Sequence, residues 1–153
     1  MKAEFGKSYL IEGSWQVMYE ILARAPDNIR VLYSAYDSTY KLPGVDNFEF
    51  KKIISEKKRK FLKPDSNYLT MGAVKNNIIS KLNRGAEIIA IEGVQNIVDT
   101  FGESDLMDII ASVKPIVSEA KALFVLQANP NKLENGTLKN LQNHLIYARE
   151  LTI

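Results

Sequence analysis

Two short apolar runs constrain this chain more than anything else in it. Glu87 to Glu92 (EIIAIE) and Ala122 to Ala128 (ALFVLQA) are nearly continuous in aliphatic and aromatic residues. Each is closed by a turn signal, Gly93 in one case and Asn129-Pro130 in the other. A run too short for a helix and apolar on both faces is a strand covered from both sides. Such strands belong to parallel sheets, because the helices that connect parallel strands lie over both faces.

The neighbouring segments fit that architecture. Ser8 to Glu12 (SYLIE) and Ile29 to Ser34 (IRVLYS) read as further strands, rich in β-branched and aromatic side chains. Between them Val17, Met18, Ile21 and Leu22 recur at helical spacing, which predicts a helix from Trp15 to about Ala25 with Ser14 as its N-cap. Leu69, Ala73, Val74, Ile78, Ile79 and Leu82 form a second stripe, opened near Pro64-Asp65-Ser66 and closed by Gly85. Helical patterns follow at 95–101 and 104–120, the second capped near Ser104 and kinked at Pro115. A short helix at 136–144 and a last strand at 148–153 complete the pattern. Strands alternating with helices predict a three-layer α/β fold with a mainly parallel sheet. Residues 35–64 do not fit: they form an irregular segment with a turn at Leu42-Pro43-Gly44 and a stretch at 48–55 that suits a strand or a short helix, long enough to suggest a functional or mobile element.

The chain has 153 residues, 46% of them hydrophobic and 25% charged, as expected of one globular domain. It has no cysteine, which excludes a disulfide scaffold, a cysteine nucleophile and a thiolate metal site, and which suits a reducing compartment. No apolar run approaches the length of a membrane span, and the polar start, Met1 to Ser8, lacks a signal-peptide pattern. A cytoplasmic protein without membrane partners is the expectation. The net charge is +2, but it is uneven. Lys51 to Lys63 (KKIISEKKRKFLK) carries seven basic residues and one acidic residue, and elsewhere acidic residues outnumber basic ones. A local basic patch attracts anions whatever the overall charge.

Several constellations bear on chemistry. Gly6-Lys7-Ser8 has the composition of a phosphate loop, but it precedes its strand instead of linking strand to helix, and no glycine lies five residues before Gly6. The link in the right place, Glu12-Gly13-Ser14-Trp15, is too short, lacks lysine, and carries in Glu12 a carboxylate that would repel phosphate. Glu92 ends a central strand, where α/β proteins often hold a functional carboxylate, so Glu92, Gly93 and Gln95 form the candidate functional edge. Asp99, Glu103, Asp105 and Asp108 make an acidic run that complements helix starts better than it suggests a metal site. His144 is the single histidine and has no evident catalytic partners. Lys51, Lys52, Lys57, Lys58, Arg59, Lys60 and Lys63, bracketed by Tyr33, Tyr36, Tyr40 and Tyr68, are candidate nucleic-acid or anion contacts against the plainer alternative of a solvated charged loop.

Gly6 to Glu12, the strand and turn Ile88 to Val94 with Ile97 and Phe101-Gly102, and the strand Leu123 to Pro130 together resemble the archaeal domain of unknown function 835 family. The similarity runs in order along nearly the whole chain. It implies a RecA-like core whose phosphate loop is lost, a family without established activity, and frequent attachment to sensor domains. Glu92 stands where that family usually has aspartate, and Lys51 to Lys63 is more basic than the family leads one to expect. The resulting expectation is a non-catalytic interaction or signalling module that needs no cofactor or metal and has another protein, or a second copy of itself, as partner. Nucleic-acid binding through 51–63 is the alternative, and a nucleotide-binding enzyme using Glu92 with Asp99 or Asp105 a more distant one.

Overall fold

A computed structural model describes residues 1–26, 29–35, 60–61 and 71–153. Six strands form one sheet: β1 (Ser8–Glu12), β2 (Arg30–Ala35), β3 (Lys60–Phe61), β4 (Ile88–Glu92), β5 (Leu123–Ala128) and β6 (Ile146–Ala148). Their order across the sheet is β3-β2-β4-β5-β1-β6, and every neighbouring pair is parallel. The helices are α1 (Gln16–Ala23), α2 (Met71–Asn83), α3 (Val94–Phe101), α4 (Glu103–Ala120) and α5 (Asn135–His144). The three-layer α/β fold expected from the sequence is present.

Strand residues alternate between two cores, as the two-residue period of a strand requires. Leu10, Leu32, Ile89, Ile91, Phe124 and Leu126 face one side, where they meet Val74 and Ile78 of α2, Ile97 of α3, Ile109, Ile110 and Val113 of α4, and Leu141 of α5. Tyr9, Ile11, Val31, Tyr33, Ile88, Ala90, Leu123 and Val125 face the other, where Met18, Ile21 and Leu22 of α1 cover them. The continuous apolar character of β4 and β5 is thus explained, for both strands have helices on both sides.

The helix ends show which local signals decided. Gly85 closes α2 as expected: its N–H donates to Leu82 and that of Ala86 to Lys81, the paired bonds of a Schellman turn. The same turn ends α4, where Lys121 donates to Ser118 and Ala122 to Val117. There a lysine takes the left-handed conformation, at φ 52°. Replacing this exposed Lys121 by glycine removes the side-chain penalty of that conformation, and we expect Lys121→Gly to raise stability by about 0.5–1 kcal/mol, read as a higher melting temperature.

Some sequence expectations need correction. The last strand is 146–148 and not 148–153, because pairing with β1 ends at Ala148, and Thr152 instead bridges to Lys2. Ser14 does not cap α1, since its hydroxyl bonds the Gln16 side chain. Ser104 does not cap α4 either, for the helix already begins at Glu103 after Gly102. Pro115, where a kink was expected, lies at an exposed position inside the helix, which runs on to Ala120 although Pro115 has no N–H to give to the Ala111 carbonyl. The segment 35–64 is not wholly irregular, since Ala35 belongs to β2 and Lys60–Phe61 pairs with it as β3. The expected turn at Leu42 to Gly44, the stretch 48–55 and the start of the helix at Pro64 lie outside the described residues.

Candidate functional site at the carboxyl edge of the sheet

The chain leaves β1 through α1 on one face of the sheet and leaves β5 through α5 on the other. The crevice between the ends of β1 and β5 is therefore the topological switch point, the place where open α/β sheets bind ligands. Gln127 occupies it. Its register partners are Ile11 on β1 and Glu92 on β4. Strand alternation puts its side chain with Leu123 and Val125 on the α1 face. The carboxamide is fully buried and bridges both neighbouring loops: Nε2 donates to the Gly13 carbonyl at 2.6 Å, and the Gly93 N–H donates to Oε1 at 2.7 Å.

The main chain tightens the same closure. The Gly13 N–H donates to the Ala128 carbonyl at 3.0 Å, so both peptide groups of Gly13 are engaged. Gly13 has φ 146°, and a Cβ there would come within 2.9 Å of Val17 Cγ1. Glycine is what lets the chain turn into α1 so closely. Gly93, at φ 81°, makes the matching turn from β4 into α3. Only Gly13, Ser14 and Trp15 separate β1 from α1, and Trp15 rests edge-on against Tyr19 with ring centroids 4.6 Å apart.

The three residues singled out from sequence meet at this edge. Glu92 and Gln95 are fully buried, Gly93 is the turn between them, and Glu92 is engaged by a neighbour. Gln95 Oε1 accepts from the Asn129 N–H at 3.0 Å, which ties the start of α3 to the end of β5. Asn129 in turn accepts from the Asn131 N–H and shapes the Pro130–Lys132 turn. Glu12 is drawn sideways, its carboxylate accepting from Gln142 Nε2 at 2.8 Å and from the Tyr147 hydroxyl at 3.2 Å. The Tyr147 hydroxyl also accepts from Arg149, and this bond pushes the Arg149 guanidinium further above its ordinary range. Gln127 was missed by sequence reasoning, although a signal existed: it is the only polar residue inside the β5 run LFVLQA.

The other candidates separate. Asp108 pairs with Lys75 at 3.4 Å, and among the described residues no group of three acidic or histidine side chains converges to hold a metal. His144 is exposed, and its Nδ1 bonds the Asn140 carbonyl at 2.8 Å. Tyr33 is withdrawn from the proposed aromatic surface, because it is buried in the core under α1 and cannot stack on a base. Lys60 lies in β3, while Lys51, Lys52, Lys57, Lys58, Arg59, Lys63, Tyr36, Tyr40 and Tyr68 lie outside the described residues. No helix among the described residues is long and apolar enough to cross a membrane.

The strand order and the two-sided helical cover define a RecA-like α/β core. A solved structure agrees on the fold. A KaiC-like protein from the hyperthermophilic archaeon Pyrococcus horikoshii superposes with a TM-score of 0.56 at 12% identity, over 90% of this chain and 69% of that one. The flagellar accessory protein FlaH from Methanocaldococcus jannaschii gives a TM-score of 0.49 at 13% identity, over 93% of this chain and 69% of its own. No family model matches the sequence, and no curated protein does.

Proposed function

We propose that this chain is a non-catalytic interaction or regulatory module that keeps a nucleotide-binding fold without its phosphate site, as its resemblance to the archaeal domain of unknown function 835 family implies. The observation that supports this reading is Gln127 seated in the switch-point crevice and bonded to Gly13 and Gly93. A phosphate needs free backbone N–H groups at a helix start, usually with a lysine. Here the Gly13 N–H is already given to Ala128, the link holds three residues, and none is basic. With no phosphate held there, Glu92 has no nucleotide-bound magnesium to meet. Titration with ATP or ADP and magnesium in a calorimeter is expected to give no binding heat, and millimolar nucleotide no rise in melting temperature. Micromolar affinity would overturn the reading.

The basic run favours a second reading, nucleic-acid binding through Lys51, Lys52, Lys57, Lys58, Arg59, Lys60 and Lys63. It is tested by binding labelled single- and double-stranded DNA and RNA across a salt series. If these residues neutralise phosphates, affinity falls steeply with salt, and charge reversal in the run abolishes it. Absence of binding at low salt removes this alternative.

A further inference from the structure

We propose that the free edge of β6, with the groove beside its start, docks an extended acidic segment of a partner protein. This rests on the interaction-module reading and gives it a surface and a partner chemistry. β6 pairs with β1 on one side and, among the described residues, ends the sheet on the other. An edge strand presents a row of backbone donors and acceptors that another strand can complete. At three residues the strand is short, which limits chance pairing, but it carries no charge, proline or bulge: it reads Ile-Tyr-Ala. Ile146 is 39% exposed and Tyr147 36%, so two of the four exposed large apolar side chains among the described residues sit side by side on it.

Beside Tyr147 the Glu12 carboxylate is offset by Arg149, so the charge at the start of the strand selects the partner. A groove of about 420 Å³ opens where β1 and β6 begin, at the opposite end of the sheet from the Gln127 crevice. Lys7, Lys114, Asn143 and His144 line it, and no carboxylate does. Lys114 Nζ donates to the neutral His144 carbonyl, which fixes the ammonium at the groove without cancelling its charge. A segment running along β6 would place apolar side chains beside Ile146 and Tyr147 and a carboxylate near Lys7 and Lys114. The row of main-chain groups favours a peptide over a nucleic acid, whose backbone cannot complete a β ladder.

The test uses the whole chain and a labelled peptide of two glutamates followed by valines, roughly six residues long to span the groove and the edge, so that valines reach both faces of the strand. Fluorescence anisotropy at low salt is expected to show saturable binding. Lys7→Glu, at an exposed position that leaves the core untouched, should weaken it by about tenfold. A peptide with a central proline, which lacks the N–H for pairing, should also bind about tenfold more weakly, and a lysine–valine peptide not at all. Hydrogen exchange should slow across residues 146–148 in the complex. No binding at millimolar peptide, equal binding of the proline peptide, indifference to Lys7→Glu, or an oligonucleotide that binds this surface through Lys7 more tightly than the peptide would each overturn the proposal. Failure here, with nucleotide binding still absent, removes this surface and leaves the interaction-module reading. Nucleotide binding would instead overturn that reading and leave the peptide result to stand by itself.

Discussion

Gln127→Ala is expected to lower the stability of this protein by about 3 kcal/mol. The substitution removes a buried hydrogen bond from the Gly93 N–H and a partly buried one to the Gly13 carbonyl, and leaves a cavity where the carboxamide was. Gly93 N–H keeps a longer bond of 3.2 Å to the Gln127 main-chain carbonyl, and Gly13 is half-buried, so some of the loss is recovered. For a chain of this size that change lowers the melting temperature by roughly 6–12 °C. Gln127→Met separates the causes. It fills much of the volume and restores no hydrogen bond, so it should lie between the native chain and the alanine variant. A loss below about 0.5 kcal/mol in Gln127→Ala would show that the crevice is not held shut by this side chain.

Gln127→Glu adds a directional check. It keeps an acceptor for Gly93 but removes the donor to Gly13 and sets a second buried carboxylate beside Glu92, its register partner. Two adjacent buried carboxylates cannot both ionise cheaply, so the folded state holds a proton that the unfolded chain gives up at neutral pH. The folded form then binds more protons, and stability must rise as pH falls through the range where unfolded carboxylates are still ionised. Denaturant unfolding at pH 7 and pH 5 measures this: the variant should gain on the native chain at the lower pH. A gap between the two that stays constant would contradict the buried pairing.

How legible all this was from sequence depended on how local each signal is. β4 and β5 could be read because a strand covered on both faces needs an apolar side chain at nearly every position. Gly85 could be read because a left-handed helix end is decided within five residues. Glu92, Gly93 and Gln95 could be placed at one edge because the end of a strand and the turn after it are adjacent in sequence. Gln127 could not be assigned its role, since its partners lie 114 and 34 residues away and the strand order that joins them is set by the whole sheet. The final strand went wrong for the same reason. Nothing within 146–153 favours its first residues over its last; the register with Tyr9 to Ile11 decides. Tyr33 shows the opposite trap, for an aromatic residue near basic ones suggests a stacking surface until burial is known.

Leu22→Ala is the second large effect, and it tests whether α1 belongs to the closed edge. Among the described helices α1 alone covers its face of the sheet, and it has only eight residues. An isolated helix that short is not stable in water, so its helicity comes from docking. Met18 and Leu22 are fully buried and supply that docking. Alanine is the better helix former, so propensity pushes the other way, and the whole loss is packing. We expect about 3 kcal/mol of destabilisation, at the ordinary cost of truncating a core leucine. Gly13 fastens the start of α1 to Gln127, while Leu22 fastens its body to the sheet. If α1 is held at both places as one unit, the double variant with Gln127→Ala should depart from the sum of the single losses by about 0.5 kcal/mol or more. Strict additivity would mean that the crevice and the helix are independent, and that Gln127 closes the switch point without help from the element that follows β1.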